Sequence, residues 1–169
     1  PVGEHGALSC GKDLAFSANG VERLQKLLTR YPTKQAALLP TLWIAQEEWG
    51  WISREAVDYV AARLGLTSAF VWGVVTFYTM YNRAPVGKHL IQVGMSISCH
   101  LNGAEEVFHE CRKKLGGLKP GETSADGKYT VVEVECLAQC DKAPAVMVNG
   151  DDHERITLDK LDAFLAELR

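Results

Sequence analysis

The sequence lacks an apolar run long enough to cross a membrane. The longest run, residues 69–81, contains Thr76 and Thr79, whereas a spanning helix needs about 20 apolar residues. Long runs of lysine or arginine are also missing and the net charge is −3, so we expect neither membrane insertion nor a nucleic-acid partner. The sequence contains no glycine-rich nucleotide loop, so we do not expect it to bind a dinucleotide by itself.

What the sequence does contain is a 47% hydrophobic composition, which is typical of a folded globular chain. In its first half, apolar residues recur with helical spacing in successive stretches, and we predict a four-helix unit there. The predicted limits are Tyr31 for the end of the first helix, Gly50 for the end of the second, Ser53 and Gly65 for the caps of the third, and Thr67 and Asn82 for the fourth.

The second half alternates strands and helices. We predict strands at His89–Gly94, Tyr129–Val134 and 145–148, helices at 103–115 and 158–168, and a tight turn at Asn149-Gly150. This order suits a thioredoxin-like α/β domain, so the predicted fold class is α+β, a four-helix unit followed by that domain. Proline and glycine at 85 and 87 mark the boundary. The predicted divisions are a flexible N-terminus at 1–17, a helical domain at 18–84 and a thioredoxin-like domain at 85–169.

The five cysteines are an odd number, at positions 10, 99, 111, 136 and 140. No signal-peptide pattern opens the sequence, so we expect reduced thiols that are candidates for metal ligation before disulfides. Cys111 lies in the apolar stripe of a predicted helix, which indicates a buried core thiol. Cys10 has no predicted role.

Three cysteines, Cys99, Cys136 and Cys140, follow predicted strands. Thiolates at adjacent strand ends can converge on one point, and soft thiolate ligands suit iron–sulfur clusters or zinc. The C-x3-C spacing of Cys136 and Cys140 is wide for a zinc ribbon and differs from the thioredoxin C-x-x-C. Two other interpretations remain open: a zinc site that adds His100, and thiols that serve only as small buried hydrophobes.

Several separated segments resemble one family, the thioredoxin-like [2Fe–2S] ferredoxins that form the E subunit of NADH:quinone oxidoreductase, respiratory complex I. The resemblance covers about residues 18–169. The segments that carry it are QEEWGWI at 46–52, GVVTFY at 73–78, PVGK at 85–88, LNGAEE at 101–106, GET at 121–123 and VECLAQC at 134–140, with AP and VN following at 143–144 and 148–149.

The resemblance implies the ligands of a [2Fe–2S] cluster. The family pattern is C-x4-C followed by C-x3-C, so Cys99, Cys136 and Cys140 match three ligand positions and the first position falls on Gly94. Ser96 and Ser98 offer hydroxyls near that position without occupying it, and we expect the His100 ring to point away from Cys99. Two hypotheses follow: a labile cluster with three cysteines and an oxygen or water ligand, or a cluster-free scaffold.

The resemblance also implies a function. It predicts an electron-transfer subunit of an NADH-oxidising flavoprotein module, whose F subunit carries FMN and the NADH site, with other peripheral-arm subunits as further partners. The alternatives are a cluster-free subunit that braces the flavoprotein subunit, or the equivalent subunit of an NAD-dependent formate dehydrogenase or hydrogenase. The implied location is the cytoplasmic or matrix-equivalent side, peripheral to the membrane through the complex. The isolated chain is not expected to turn over NADH.

Aromatic residues are concentrated in the helical half. Most have helical spacing, which favours core packing. The alternative is that exposed members, especially at 70–81, dock against a partner subunit, since aromatic side chains are enriched at interface cores. The set comprises Trp43, Trp49, Trp51, Trp72, Phe70, Phe77, Tyr78 and Tyr81.

Overall fold

The computed structural model describes residues 14–168 and divides into two compact units, one ending at Pro85 and one beginning at Val86. Each unit has its own hydrophobic core. The first is helical and the second combines helices with a sheet of order β2-β1-β3-β4, which confirms the predicted α+β class. The helices of the first unit are α1 Ala18–Arg30, α2 Leu38–Trp49, α3 Arg54–Leu64 and α4 Ser68–Phe77.

The caps of α3 show why the helix limits can be found in the sequence. The Ser53 side chain accepts a hydrogen bond from the Ala56 N–H, which satisfies one of the free donors at the helix start. Gly65 ends the helix with a left-handed φ of 65°, a conformation that favours glycine. Gly50 ends α2 in the same way, at φ 79°. These predicted limits are confirmed.

Helix α4 is shorter than predicted, because it ends at Phe77 and not near Asn82. The residues after it turn back onto α2. The Tyr81 hydroxyl donates to the Leu39 carbonyl oxygen at 2.9 Å, and Gln46 bonds the backbone of both Met80 and Asn82. These tertiary hydrogen bonds outweigh continued helix formation.

The segment that precedes α1 is described from residue 14 onward. Phe16 is buried, stacks on Trp49 with ring centroids 5.0 Å apart, and donates its backbone N–H to the Tyr59 hydroxyl. Ser17 caps α1 by accepting from the Gly20 N–H. The rest of the predicted N-terminal segment lies outside the described residues.

The second unit is built on a short mixed sheet. The central strand β1 (His89–Gly94) runs parallel to β2 (Tyr129–Val134) and antiparallel to β3 (Val146–Val148), and β4 (Asp151–His153) pairs with β3. Helices α6 (Ala104–Lys114) and α7 (Leu158–Glu167) pack on each other and on the core of this sheet. The predicted β1 and β2 are confirmed to the residue.

Three features of this unit differ from the sequence prediction. A short helix, α5 (Ile97–Leu101), lies where no helix is predicted, and β4 is not predicted although the turn before it is. The helical spacing of 158–168 predicts Leu158 on the apolar face of that helix, but Leu158 is the first residue of α7 and its side chain is half-exposed.

Candidate functional site

The candidate site lies at the carboxyl ends of β1 and β2. The two strands are parallel with Gly94 opposite Val134, so they end at the same edge of the sheet. The Met95 N–H donates to the Val134 carbonyl oxygen at 2.8 Å and extends the pairing by one residue. The two cysteine-containing segments therefore leave the sheet side by side.

The first segment folds into α5, which gives Cys99 a definite direction. Cys99 is 2% exposed and belongs to the core of the unit. Ile97 and Leu101, one helical turn apart, are each 79% exposed. The helix therefore turns the candidate ligand inward and two apolar side chains outward.

The second segment follows β2 and is held by hydrogen bonds. The Ala138 N–H donates to Cys136 Sγ at 3.2 Å, with Ala138 itself in the left-handed region at φ 58°. Cys140 opens a 3₁₀ turn, Cys140–Lys142. The Ser98 hydroxyl donates to the Cys140 carbonyl oxygen at 2.7 Å, so the two segments are joined directly. Cys136 and Cys140 are both exposed and both are free thiols.

Position 94 faces the site. Gly94 is buried, and a Cβ on its backbone would lie 3.3 Å from Cys99 Sγ and 3.6 Å from Leu137 Cδ1. Its N–H donates to the Ala145 carbonyl oxygen at 3.0 Å. A side chain at this position would thus enter the space between the two cysteine segments.

The side chains present do not match a four-thiolate cluster. A [2Fe–2S] centre of this type takes four cysteine ligands, and position 94 supplies none. Within residues 14–168, no group of three or more His, Cys, Asp or Glu side chains is placed to hold a metal ion, which leaves the zinc hypothesis without an assembled ligand set as well. The Gln139 Oε1 atom, in the second segment, is buried without a hydrogen-bond partner. The adjacent strand ends that would carry the cluster ligands are present, but the set of four ligand side chains is incomplete.

The remaining candidates lie apart from this set. Cys111 is buried in the core, as predicted, and burial raises the pKa of its thiol to about 12. His100 is exposed, with its Nδ1 3.8 Å from a Glu105 carboxylate oxygen. Cys10 lies outside the described residues. From the sequence, Ser98 is only a hydroxyl near the expected ligand position. No sequence pattern predicts its hydrogen bond to the Cys140 carbonyl oxygen.

Comparison with known proteins agrees with this architecture. Residues 24–169 match the family model described as thioredoxin-like [2Fe–2S] ferredoxin. The chain is 36% identical over 160 residues to the E subunit of NADH-quinone oxidoreductase from Rickettsia bellii (strain RML369-C), covering 93% of this chain and 95% of that protein. It is 40% identical over 159 residues to NADH-quinone oxidoreductase subunit 2 of Thermus thermophilus, covering 92% and 87%.

Among solved structures, the chain is similar to part of an NAD+-reducing [NiFe]-hydrogenase in the air-oxidized state. The TM-score is 0.67 at 21% identity, over 78% of this chain and 22% of that one, which supports the fold alone. The family match spans both cysteine segments, and the two relatives align over nearly their whole length. On this evidence the chain belongs to the thioredoxin-like [2Fe–2S] ferredoxin family.

Proposed function

We propose that this chain is the E-type subunit of an NADH-oxidising electron-transfer complex of the NADH-quinone oxidoreductase kind. The observation that carries the proposal is its alignment with named E subunits over more than nine-tenths of its own length. Its direct partner in this proposal is the F subunit, which holds FMN and the NADH site, and other peripheral-arm subunits lie beyond it. Oxidation of NADH belongs to the assembled complex and not to this chain alone.

The surface of the helical unit supports a partner-binding role. Phe77, at the end of α4, is 76% exposed, and its ring meets that of Tyr78 edge to face at 5.0 Å. Phe70 and Trp43 are also exposed. Exposed aromatic side chains of this size are enriched at the cores of protein interfaces. The sequence left open that exposed members of this aromatic set dock against a partner subunit, and we assign these exposed members to partner contact.

A peripheral position at the cytoplasmic or matrix-equivalent side is part of the same proposal. Among the helices of residues 14–168, none is both long and apolar enough to cross a bilayer. We infer that attachment to a membrane runs through the complex. The candidate metal site supports this proposal only by family resemblance, which implies that the chain descends from a subunit that carries a cluster. The ligand set of this chain is itself incomplete.

Two other hosts are alternatives within this proposal. By family resemblance, a hydrogenase or a formate dehydrogenase could contain the same subunit, and part of an NAD+-reducing hydrogenase has a similar fold. All three hosts share the flavoprotein partner. They differ in the further subunits that accompany it.

Co-purification from the native cells separates these hosts. An affinity-tagged copy of the full chain is expected to isolate a flavoprotein subunit in roughly equal amount, with FMN bound and NADH–ferricyanide reductase activity. Mass spectrometry of the remaining subunits then identifies quinone oxidoreductase, hydrogenase or formate dehydrogenase. A chain that is folded yet recovered without any flavin-containing partner contradicts the proposal.

A further inference from the structure

We infer that this chain, as it stands, does not hold a four-ligand [2Fe–2S] cluster, and that the defect is one missing side chain at position 94 in a backbone frame that otherwise persists. The inference concerns the chain itself and is independent of the complex that contains it. It chooses between the two hypotheses that the sequence left open, a labile cluster and a cluster-free subunit.

The first step is the number of ligands. Each iron of the cluster needs two protein ligands, and Cys99, Cys136 and Cys140 leave one iron with a single ligand. Cys99 is buried whereas Cys136 and Cys140 are exposed, and residues 14–168 contain no three side chains already arranged around a metal position. An iron that is open to solvent is subject to ligand exchange and oxidation, so the assembled cluster would not persist.

The second step concerns three groups of the described residues that could replace the missing thiol: Ser98, His100 and Cys111. The Ser98 hydroxyl is engaged with the Cys140 carbonyl oxygen. His100 lies on the exposed side of α5 and faces Glu105. Cys111 is enclosed in the hydrophobic core by α6, where burial keeps its thiol protonated. These three groups of residues 14–168 are therefore held elsewhere.

The third step is that the backbone around position 94 is held in place by the sheet. Gly94 is the last residue of the central strand, and its backbone is held between Val134 on one side and Ala145 on the other. The direction of a Cα–Cβ bond at 94 is thus fixed by the sheet, and it leads to Cys99 Sγ and Leu137. A Cβ at 94 would approach Cys99 Sγ to 3.3 Å and the Ala145 carbonyl oxygen to 3.5 Å, so the Cys99 side chain must shift by a few tenths of an ångström. A cysteine at 94 would complete the set without a new backbone path.

The test compares the full chain with two variants after anaerobic reconstitution with iron and sulfide. Gly94→Cys supplies the thiol, and Gly94→Ala is the matched control that adds a Cβ without it. We expect about two irons and two sulfides per chain in Gly94→Cys, with visible absorbance and a paramagnetic signal on reduction. The wild-type chain and Gly94→Ala should retain at least about fivefold less iron, because both lack the fourth thiolate. Circular dichroism and thermal melting establish that each protein is folded.

Each outcome decides one half of the inference. A wild-type chain that retains about two irons and two sulfides, with the reduced-state signal, overturns the statement that it holds no cluster. A Gly94→Cys chain that binds no more iron than Gly94→Ala, or that fails to fold, overturns the statement that the backbone frame persists. Binding of the flavoprotein subunit is measured separately by co-purification, so failure here is distinguishable from failure of the proposed function.

Discussion

The Ser98 hydroxyl donates a hydrogen bond to the backbone carbonyl oxygen of Cys140 at 2.7 Å. This bond connects α5, which carries Cys99, to the 3₁₀ turn that begins with Cys140. The two cysteine segments are therefore held together by the protein alone.

Replacing Ser98 with alanine tests this link. Ser98→Ala should lower the free energy of unfolding by about 0.5–1.5 kcal/mol, the usual net contribution of one hydrogen bond, as measured by urea denaturation. Ser96→Ala is the matched control, since the Ser96 side chain makes no capping bond to α5. Equal effects of the two substitutions would show that the Ser98 bond does not stabilise the site.

Gly20 and Gly73 should respond oppositely to alanine. A Cβ on Gly20 would lie 2.8 Å from Glu48 Cδ and displace a carboxylate that accepts hydrogen bonds from the Ser17 N–H and hydroxyl. A Cβ on Gly73 meets no atom within 4 Å. Gly73→Ala should stabilise by about 0.5–1 kcal/mol through helix propensity. Gly20→Ala should destabilise by about 1–2 kcal/mol.

Thermal and urea denaturation of the two alanine variants measure this difference. Repeating Gly20→Ala in a Glu48→Ala background isolates the contact, because the steric conflict is then gone. The Gly20 substitution should become neutral or stabilising there. If it remains as harmful as in the wild-type background, Glu48 is not the cause.

The stability of the second unit should fall in alkali because of Cys111. Burial raises the pKa of its thiol from the ordinary 9.0 to about 12. Between these values the unfolded chain loses the proton that the folded chain keeps, so stability is complete below about pH 9 and decreases toward pH 12. The slope contributed is at most about 1.4 kcal/mol per pH unit.

Urea denaturation of the wild-type chain and Cys111→Ala, from about pH 7 to about pH 11, measures this contribution. The wild-type protein should lose more stability than the variant above pH 9. Burial also raises the pKa of Tyr81, but Tyr81 is common to both proteins and cancels in the comparison. Parallel pH profiles would contradict the assignment to Cys111.

The aromatic surface on the helical unit should contribute to partner binding. Phe77→Ser removes a ring that makes little contact with its own core, so the fold should persist. The affinity of the Phe77→Ser chain for the purified flavoprotein subunit should fall about tenfold or more, as expected when an aromatic anchor of an interface is removed. Leu158→Ser, an exposed apolar residue of the other unit, is the control. Identical dissociation constants for the two variants would exclude Phe77 from the interface.

Local chemistry explains which parts of this fold could be predicted from the sequence. Strands β1 and β2 are short segments rich in apolar and β-branched residues. Ser53 caps α3 through its own side chain, and Gly65 ends it through its own backbone conformation. The end of α4 depends instead on hydrogen bonds from Tyr81 and Gln46 to distant residues. Helix α5 is too short for apolar periodicity to be recognised.

The candidate site also has features that the sequence predicts and features that it does not. Its cysteines and the glycine at 94 could be named from the spacing of the family motif. The inward turn of Cys99, the bond from Ser98 and the direction of a side chain at 94 depend on the register of β1 against its neighbours, which spacing does not specify.

The strand that ends at Gly94 has a consequence for the engineering of this protein. Hydrogen bonds of the sheet fix the backbone at this residue, so a substitution there changes the side chain offered to the cysteine segments while the strand keeps its neighbours. In the inference above, one such substitution separates a chain with three thiols from a chain with four.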